Sequence, residues 1–219
     1  MKAVIFDLDG TLLDTIDDIA DSMNYVLAGH GLPQHSVAEY KLFVGDGAVN
    51  LVKRSVAGAG LAGDEISPLV AEYNSEYSAR QADKTKPYVG IPELLEALVA
   101  IGVHVAVLSN KPQEATLGVM AHYFPEVTFG AIIGQREGFP IKPDPAGALE
   151  ILEILHLPRE EVLYIGDTAT DMQTATAAGI KAVGALWGFR ERRELEDNGA
   201  KVFANEPMDI LKILKGILI

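Results

Sequence analysis

The 219-residue chain contains no cysteine. That absence removes disulfides, thiolate zinc sites and cysteine nucleophiles from consideration, and it agrees with a reducing, cytoplasmic setting. Basic residues are scarce as well: 18 Lys and Arg face 31 Asp and Glu, for a net charge of −13. Nucleic-acid binding needs clustered positive charge. The densest basic stretch, RERRE at 190–194, alternates with glutamate and reads as a solvated helix face, so no nucleic-acid partner is expected. Long hydrophobic runs are missing too. Asp7 interrupts the first apolar run too early for the core of a secretory signal. The tail DILKILKGILI carries Lys212 and Lys215 and is well short of a membrane span. It is read as a terminal helix docked on the core, with no membrane partner. The five histidines (30, 35, 104, 122, 156) are scattered and share no ligand spacing.

What is present points to a folded globular protein: 48% of residues are apolar and 22% charged. The length suits one large domain, or one domain with a smaller insert. Five short, nearly all-apolar runs, at 2–7, 103–109, 129–134, 161–167 and 180–187, have the composition of strands covered on both faces. Stretches with helical spacing or Ala-rich composition separate the later ones, and this alternation predicts an α/β fold with a doubly wound parallel sheet. Residues 15–83 break the pattern. Ile16, Ile19, Met23, Val26 and Leu27 share one helical face, and three further helical stretches follow with no strand between them. The expected organisation is an α/β core of residues 1–14 and 84–219 with an all-helical insert, 15–83, entering after the first strand.

The polar residues that matter sit where predicted strands end. The first strand runs into DLDGT, placing Asp7 and Asp9 two residues apart with Thr11 following. The second ends in Ser109-Asn110-Lys111. Lys142 lies between prolines in IKPDP, and LYIGD ends in Asp167 with Asp171 four residues on. In open α/β sheets ligands bind beyond the carboxyl ends of the strands, so these clusters should share one crevice. Carboxylates crowded together repel and raise one another's pKa unless a cation sits among them. An all-oxygen donor set without His or Cys points to Mg²⁺. Hydroxyl and amide donors suit phosphate oxygens, and a lysine stabilises charge on a transferring phosphoryl group. An aspartate can act as the nucleophile. A second carboxyl two residues along an extended chain points the same way and can move the protons.

DLDGT, LSNKP, KPDP and GDTATD, in this order, resemble the four motifs of the haloacid dehalogenase-like phosphohydrolases, and the likeness spans essentially the whole chain. It implies a Rossmann-like core with a helical cap and an aspartyl-phosphate mechanism. Asp7 would be the nucleophile and Asp9 the general acid/base. Thr11, Ser109 and Asn110 would hold the phosphate, and Lys142 would stabilise the phosphoenzyme. Mg²⁺ would bind Asp7, Asp167 and the backbone carbonyl of Asp9, with Asp171 supporting the site without touching the ion. Segments such as HGLP, FVGDGAVNLVKR and WGFRERRELEDNGA further resemble bacterial phosphoglycolate phosphatases. The expected function is therefore Mg²⁺-dependent hydrolysis of a small phosphate monoester, with 2-phosphoglycolate favoured. A related phosphatase, a pyrophosphatase or a sugar-phosphate mutase is the alternative. Mutase relatives often carry a hydrophobic residue where this chain has Thr11, which favours hydrolysis. A phospho-accepting receiver module would be about half this length and would lack the insert. In the insert, Gly45, Asp46 and Gly47 are candidates for a substrate-facing turn, and Lys53 and Arg54 for recognition of a substrate carboxylate. A monomer and a homodimer are both compatible with the composition.

Overall fold

A computed structural model describes residues 1–61 and 63–216. At its centre lies strand β1, Ala3–Phe6, buried along its whole length. Two parallel neighbours flank it, β4 (His104–Pro112) and β6 (Val162–Gly166). Strand β5 (Ala131–Gln135) lies outside β4, and β7 (Lys181–Ala185) and β8 (Val202–Ala204) lie outside β6. The resulting order, β5-β4-β1-β6-β7-β8, is that of a doubly wound sheet. Successive residues of a strand point to opposite faces, so each strand feeds two cores. Val4, Phe6, Val107 and Ile165 pack with Leu94 and Leu98 of α5 (Ile91–Ala100) and with Ile210 and Ile213 of α10 (Asp209–Leu214). Ala3, Ile5, Ala106 and Tyr164 pack on the other face with Ile151 of α7 (Ala146–Leu155) and Met172 of α8 (Ala169–Ala178). Burial of each large apolar side chain contributes about 1.5–3 kcal/mol. Covering both faces of β1 is why its sequence is continuously apolar.

Register sets the position of the functional end. Phe6 lies opposite both Val107 and Ile165, so Asp7, Leu108 and Gly166 come next in line, with Ser109 and Asp167 one residue further. The chain moves from β1 to β4 and β5 on one side, then returns to β6 on the other. The reversal beside β1 creates the crevice expected of this topology.

Four helices form the insert: α1 (Ile16–Gly29), α2 (Val37–Phe43), α3 (Gly47–Ser55) and α4 (Gly63–Arg80). The predicted face of α1 is buried as expected, and with Tyr40, Leu51, Val52, Leu69 and Tyr73 it makes a separate hydrophobic core. At the junction, β2 (Leu13–Asp14) pairs antiparallel with β3 (Lys86–Pro87). The buried carboxylate of Asp18 accepts the amides of Lys84 and Thr85 and the Thr85 hydroxyl at 2.7–3.1 Å. The chain therefore enters and leaves the cap through a tied double crossing. Phe189, which follows β7, packs into the cap core and not the sheet core.

Three features go beyond the sequence reading. β8 is only three residues long, too short to register as an apolar run. The β2–β3 ribbon is shorter still. β4 extends past Ser109 to Pro112, with its register against β5 broken after Leu108. The predicted terminal helix is α10, and residues 217–219 of that stretch lie outside the described residues. No helix among the described residues is long and apolar enough to cross a membrane.

Candidate active site

The polar strand ends meet at the carboxyl edge of the sheet. Asp7 leaves β1 with its amide donating to Ile165 O at 2.9 Å. Its carboxylate is nearly inaccessible, and Oδ1 accepts the Lys142 ammonium at 2.7 Å. The same ammonium donates to Asp171 Oδ1 at 2.6 Å. Two residues after Asp7, Asp9 Oδ1 accepts the Lys111 ammonium at 2.7 Å. Each aspartate of DLDGT thus has its own buried lysine, which partly answers the repulsion that their spacing creates. Both carboxylates line one cavity of about 80 Å³ under the cap, together with Ser109, Asn110, Lys111 and Lys142.

Asp167 has no lysine. Its Oδ1 accepts the Thr11 hydroxyl at 2.9 Å and its Oδ2 the Phe189 amide at 2.8 Å. Burial, reinforced by the charge of Asp171, pushes its pKa up to about 7. Burial likewise raises Asp7 well above the usual carboxylate range, with Asp171 adding to the shift and Lys142 opposing it. Burial alone would lower the Lys142 ammonium, but Asp171 and Asp7 outweigh it and hold Lys142 well above its ordinary value. Oxygen atoms of Asp7, Asp167 and Asp171 lie within 4.8 Å of one another. Such crowding is unfavourable without a positive charge, and a hard divalent cation suits an all-oxygen set. The chain folds tightly around it: Gly10 has φ +92°, and a Cβ there would lie 2.3 Å from Asp167 Oδ2.

Asp171 is saturated by protein donors. Besides Lys142, Oδ1 faces Tyr164 OH at 3.3 Å, and Oδ2 accepts the Thr168 amide and hydroxyl at 3.1 and 2.7 Å. It fixes the start of α8 and holds Lys142, which is the geometry of a supporting residue.

Asn110 bridges core and cap. Its amide donates to Gly45 O and Lys142 O, both at 3.0 Å, and its carbonyl accepts the Lys142 amide at 2.8 Å. The family model for "Haloacid dehalogenase-like hydrolase" matches residues 4–185, a stretch that includes every one of these groups except the Phe189 amide. The chain belongs to that family. A phosphoglycolate phosphatase of Pseudomonas savastanoi pv. phaseolicola is 32% identical over 222 residues, covering 99% of this chain and 80% of the relative. An N-acetylmuramic acid 6-phosphate phosphatase of Pseudomonas aeruginosa is equally similar, 32% over 218 residues, covering 98% and 95%. Among solved structures, a candidate phosphoglycolate phosphatase of Lactobacillus delbrueckii subsp. bulgaricus superposes with a TM-score of 0.92 at 31% identity, covering 97% of this chain and 98% of that one. The chain is a phosphatase of the haloacid dehalogenase-like family, and it shares the fold of that solved structure over nearly its whole length.

Several expected residues stand differently from their sequence reading. The Thr11 hydroxyl, expected on the phosphate, is fully buried and given to Asp167. Gly45 and Gly47 line the cavity, but the carboxylate of Asp46 between them turns away to Thr170 and Arg54. That also removes Arg54 as a substrate-carboxylate partner, while Lys53 is exposed on the outside of α3. Arg190, expected at the start of a solvated helix face in RERRE, instead precedes the helix with its side chain largely buried, and it donates to the carbonyls of Leu42 and Val44 at 3.2 and 2.8 Å, tying the core to the cap turn. Lys111 was visible only as the residue after Ser109-Asn110. Its burial and its partners Asp9 and Tyr77 depend on cap docking, which no local pattern carries.

Proposed function

We propose that this chain is a Mg²⁺-dependent phosphatase of small phosphate monoesters, 2-phosphoglycolate first among them, working through an aspartyl-phosphate on Asp7. One observation supports this above the rest. Lys142 holds Asp7 by Oδ1 only, so the second oxygen of a buried carboxylate on the cavity wall is left for attack. Asp7 Oδ2 attacks phosphorus, the ester P–O bond breaks, and the leaving oxygen takes a proton from Asp9. Water then attacks the same phosphorus while Asp9 accepts its proton, and the Asp7–phosphorus bond breaks to restore the carboxylate. Ser109 lines the cavity and would hold the phosphoryl group, whereas the Asn110 side chain, expected on the phosphate, is spent on Gly45 O and the Lys142 backbone and so positions Lys142, which stabilises charge there. Asp7, Asp167 and the Asp9 carbonyl would hold Mg²⁺, which when bound supplies the positive charge that the carboxylates and phosphoryl oxygens call for. The cap lines the cavity with an apolar wall of Ile19, Val44 and Leu51, which would shield the reacting groups from bulk water.

The test is phosphate release from 2-phosphoglycolate, sugar phosphates, pyrophosphate and p-nitrophenyl phosphate, with and without EDTA. Release that needs Mg²⁺ and vanishes in Asp7→Asn is expected. Near-normal release by that variant would defeat the nucleophile assignment, and release unaffected by EDTA would defeat the metal.

A further inference from the structure

The cavity has two cationic walls that are not equivalent. Lys142 spends its charge on two carboxylates, Asp7 and Asp171. Lys111 is just as deeply buried, with its side chain 4% exposed, yet it meets one carboxylate, Asp9, and one neutral phenol, Tyr77, each at 2.7 Å. An ammonium has three N–H donors, so one remains for the cavity that Lys111 lines. Tyr77 is complementary. Burial, then the charge of Asp9, raises its hydroxyl well above its ordinary pKa, so it stays neutral. Its oxygen accepts from Lys111, and among the described residues that is its one hydrogen bond, leaving its O–H to donate into the same space. The phenol is stacked on Tyr73 with ring centroids 5.8 Å apart, which fixes its direction.

We propose that Lys111 and Tyr77 form the subsite that recognises the leaving group, and that it takes a carboxylate. This rests on the phosphatase reading above and assigns the substrate class within it: phosphate esters of short 2-hydroxy acids. Two adjacent donors, one charged, match the two oxygens of a carboxylate. The pair sits beside Asp9, on the side of the cavity where the departing alcohol must lie if Asp9 protonates it. The remaining cap wall disfavours a sugar. Ile19, Val44, Ala48 and Leu51 offer no side-chain partners, and beyond Tyr77 the polar side chains of that wall are Tyr73 and Asn74, too few for the several hydroxyls of a sugar, which are costly to bury unpaired. Lys111 and Lys142 are the lysine and arginine side chains that line this cavity among the described residues, and Lys142 is committed to the phosphoryl end.

The experiment compares 2-phosphoglycolate with 2-hydroxyethyl phosphate, which carries CH₂OH in place of the carboxylate, in the parent, Lys111→Met, Lys111→Arg and Tyr77→Phe. The parent should prefer the carboxylated ester. Lys111→Met should lower the ratio of the two kcat/KM values by about 10- to 100-fold, the range for losing a charge-assisted hydrogen bond in a dry site. Lys111→Arg should recover part of the ratio, and Tyr77→Phe should lower it less than Lys111→Met does. Equal losses on both esters would mean that Lys111 acts only through Asp9 or the fold, and would overturn the subsite. A parent that hydrolyses both esters without preference would also overturn it and leave the phosphatase reading standing. Calorimetric binding of the two esters to Asp7→Asn, with and without Lys111→Met, reads the same selectivity without turnover. If the parent hydrolyses no ester at all, the phosphatase reading fails, while this binding ratio still decides the Lys111 assignment.

Discussion

Replacing Asp167 with Asn should shift the stability of the metal-free protein in the variant's favour as pH rises. Asp167 is wholly buried, and burial with the charge of Asp171 moves it from its usual 3.8 to about 7. For an acid the sign follows from linkage. A raised folded pKa means that the native state binds its proton more tightly than the unfolded chain, so stability is full below 3.8 and declines as pH rises through about 7. At roughly 1.4 kcal/mol per tenfold change in proton affinity, the full effect is on the order of 4 kcal/mol above pH 7. Between pH 5 and pH 8 it grows by on the order of 2–3 kcal/mol. The asparagine brings a fixed cost. Its Oδ1 can still accept the Thr11 hydroxyl, but its amide then meets the Phe189 N–H, a mismatch of about 1–3 kcal/mol that does not vary with pH. The slope is therefore the diagnostic. Urea melts in EDTA at pH 5, 6.5 and 8 should show the variant gaining on its parent by about 2–3 kcal/mol across the series. Mg²⁺ should raise the Tm of the parent most at pH 8 and leave the variant's nearly unchanged. A stability difference flat in pH, or one that falls with pH, would refute the view that Asp167 carries an uncompensated charge awaiting a cation.

Other perturbations test the cap. Asp18→Ala leaves the amides of Lys84 and Thr85 and a buried hydroxyl without their acceptor, and should cost at least about 2 kcal/mol in a urea melt. A change under about 0.5 kcal/mol would show that the double crossing does not depend on it. Asn110→Ala removes the bridge to Gly45 O and both contacts with the Lys142 backbone. It should lower kcat/KM by about 10-fold or more, and unchanged steady-state kinetics would contradict a bridging role for Asn110.

The sequence was most legible where burial dictates composition. β1 reads as a two-sided strand because both its faces are covered, and the abrupt arrival of Asp7 marks its end. The same logic located Asp167 after β6 and the buried face of α1. Legibility failed where a side chain's direction depends on a partner far along the chain. Asp46 turns outward because Thr170, 124 residues away, offers a hydroxyl and Arg54 a charge. Thr11 turns to Asp167, 156 residues away. Lys111 acquires its meaning from Tyr77 on α4, an element whose stacking on the site is set by the cap core. β8 escaped for a different reason, since three residues cannot display a period.

Phosphorylation of Asp7 is the step on which the proposed hydrolysis depends. During steady-state hydrolysis, an acid quench followed by borohydride reduction converts an acyl phosphate to an alcohol, and mass spectrometry of the peptide containing Ala3–Phe6 and Asp7 reads the product. Homoserine is expected at position 7, dependent on substrate and absent when EDTA is present from the start. Reduction at another carboxylate, or none at Asp7 while phosphate is being released, would contradict that step.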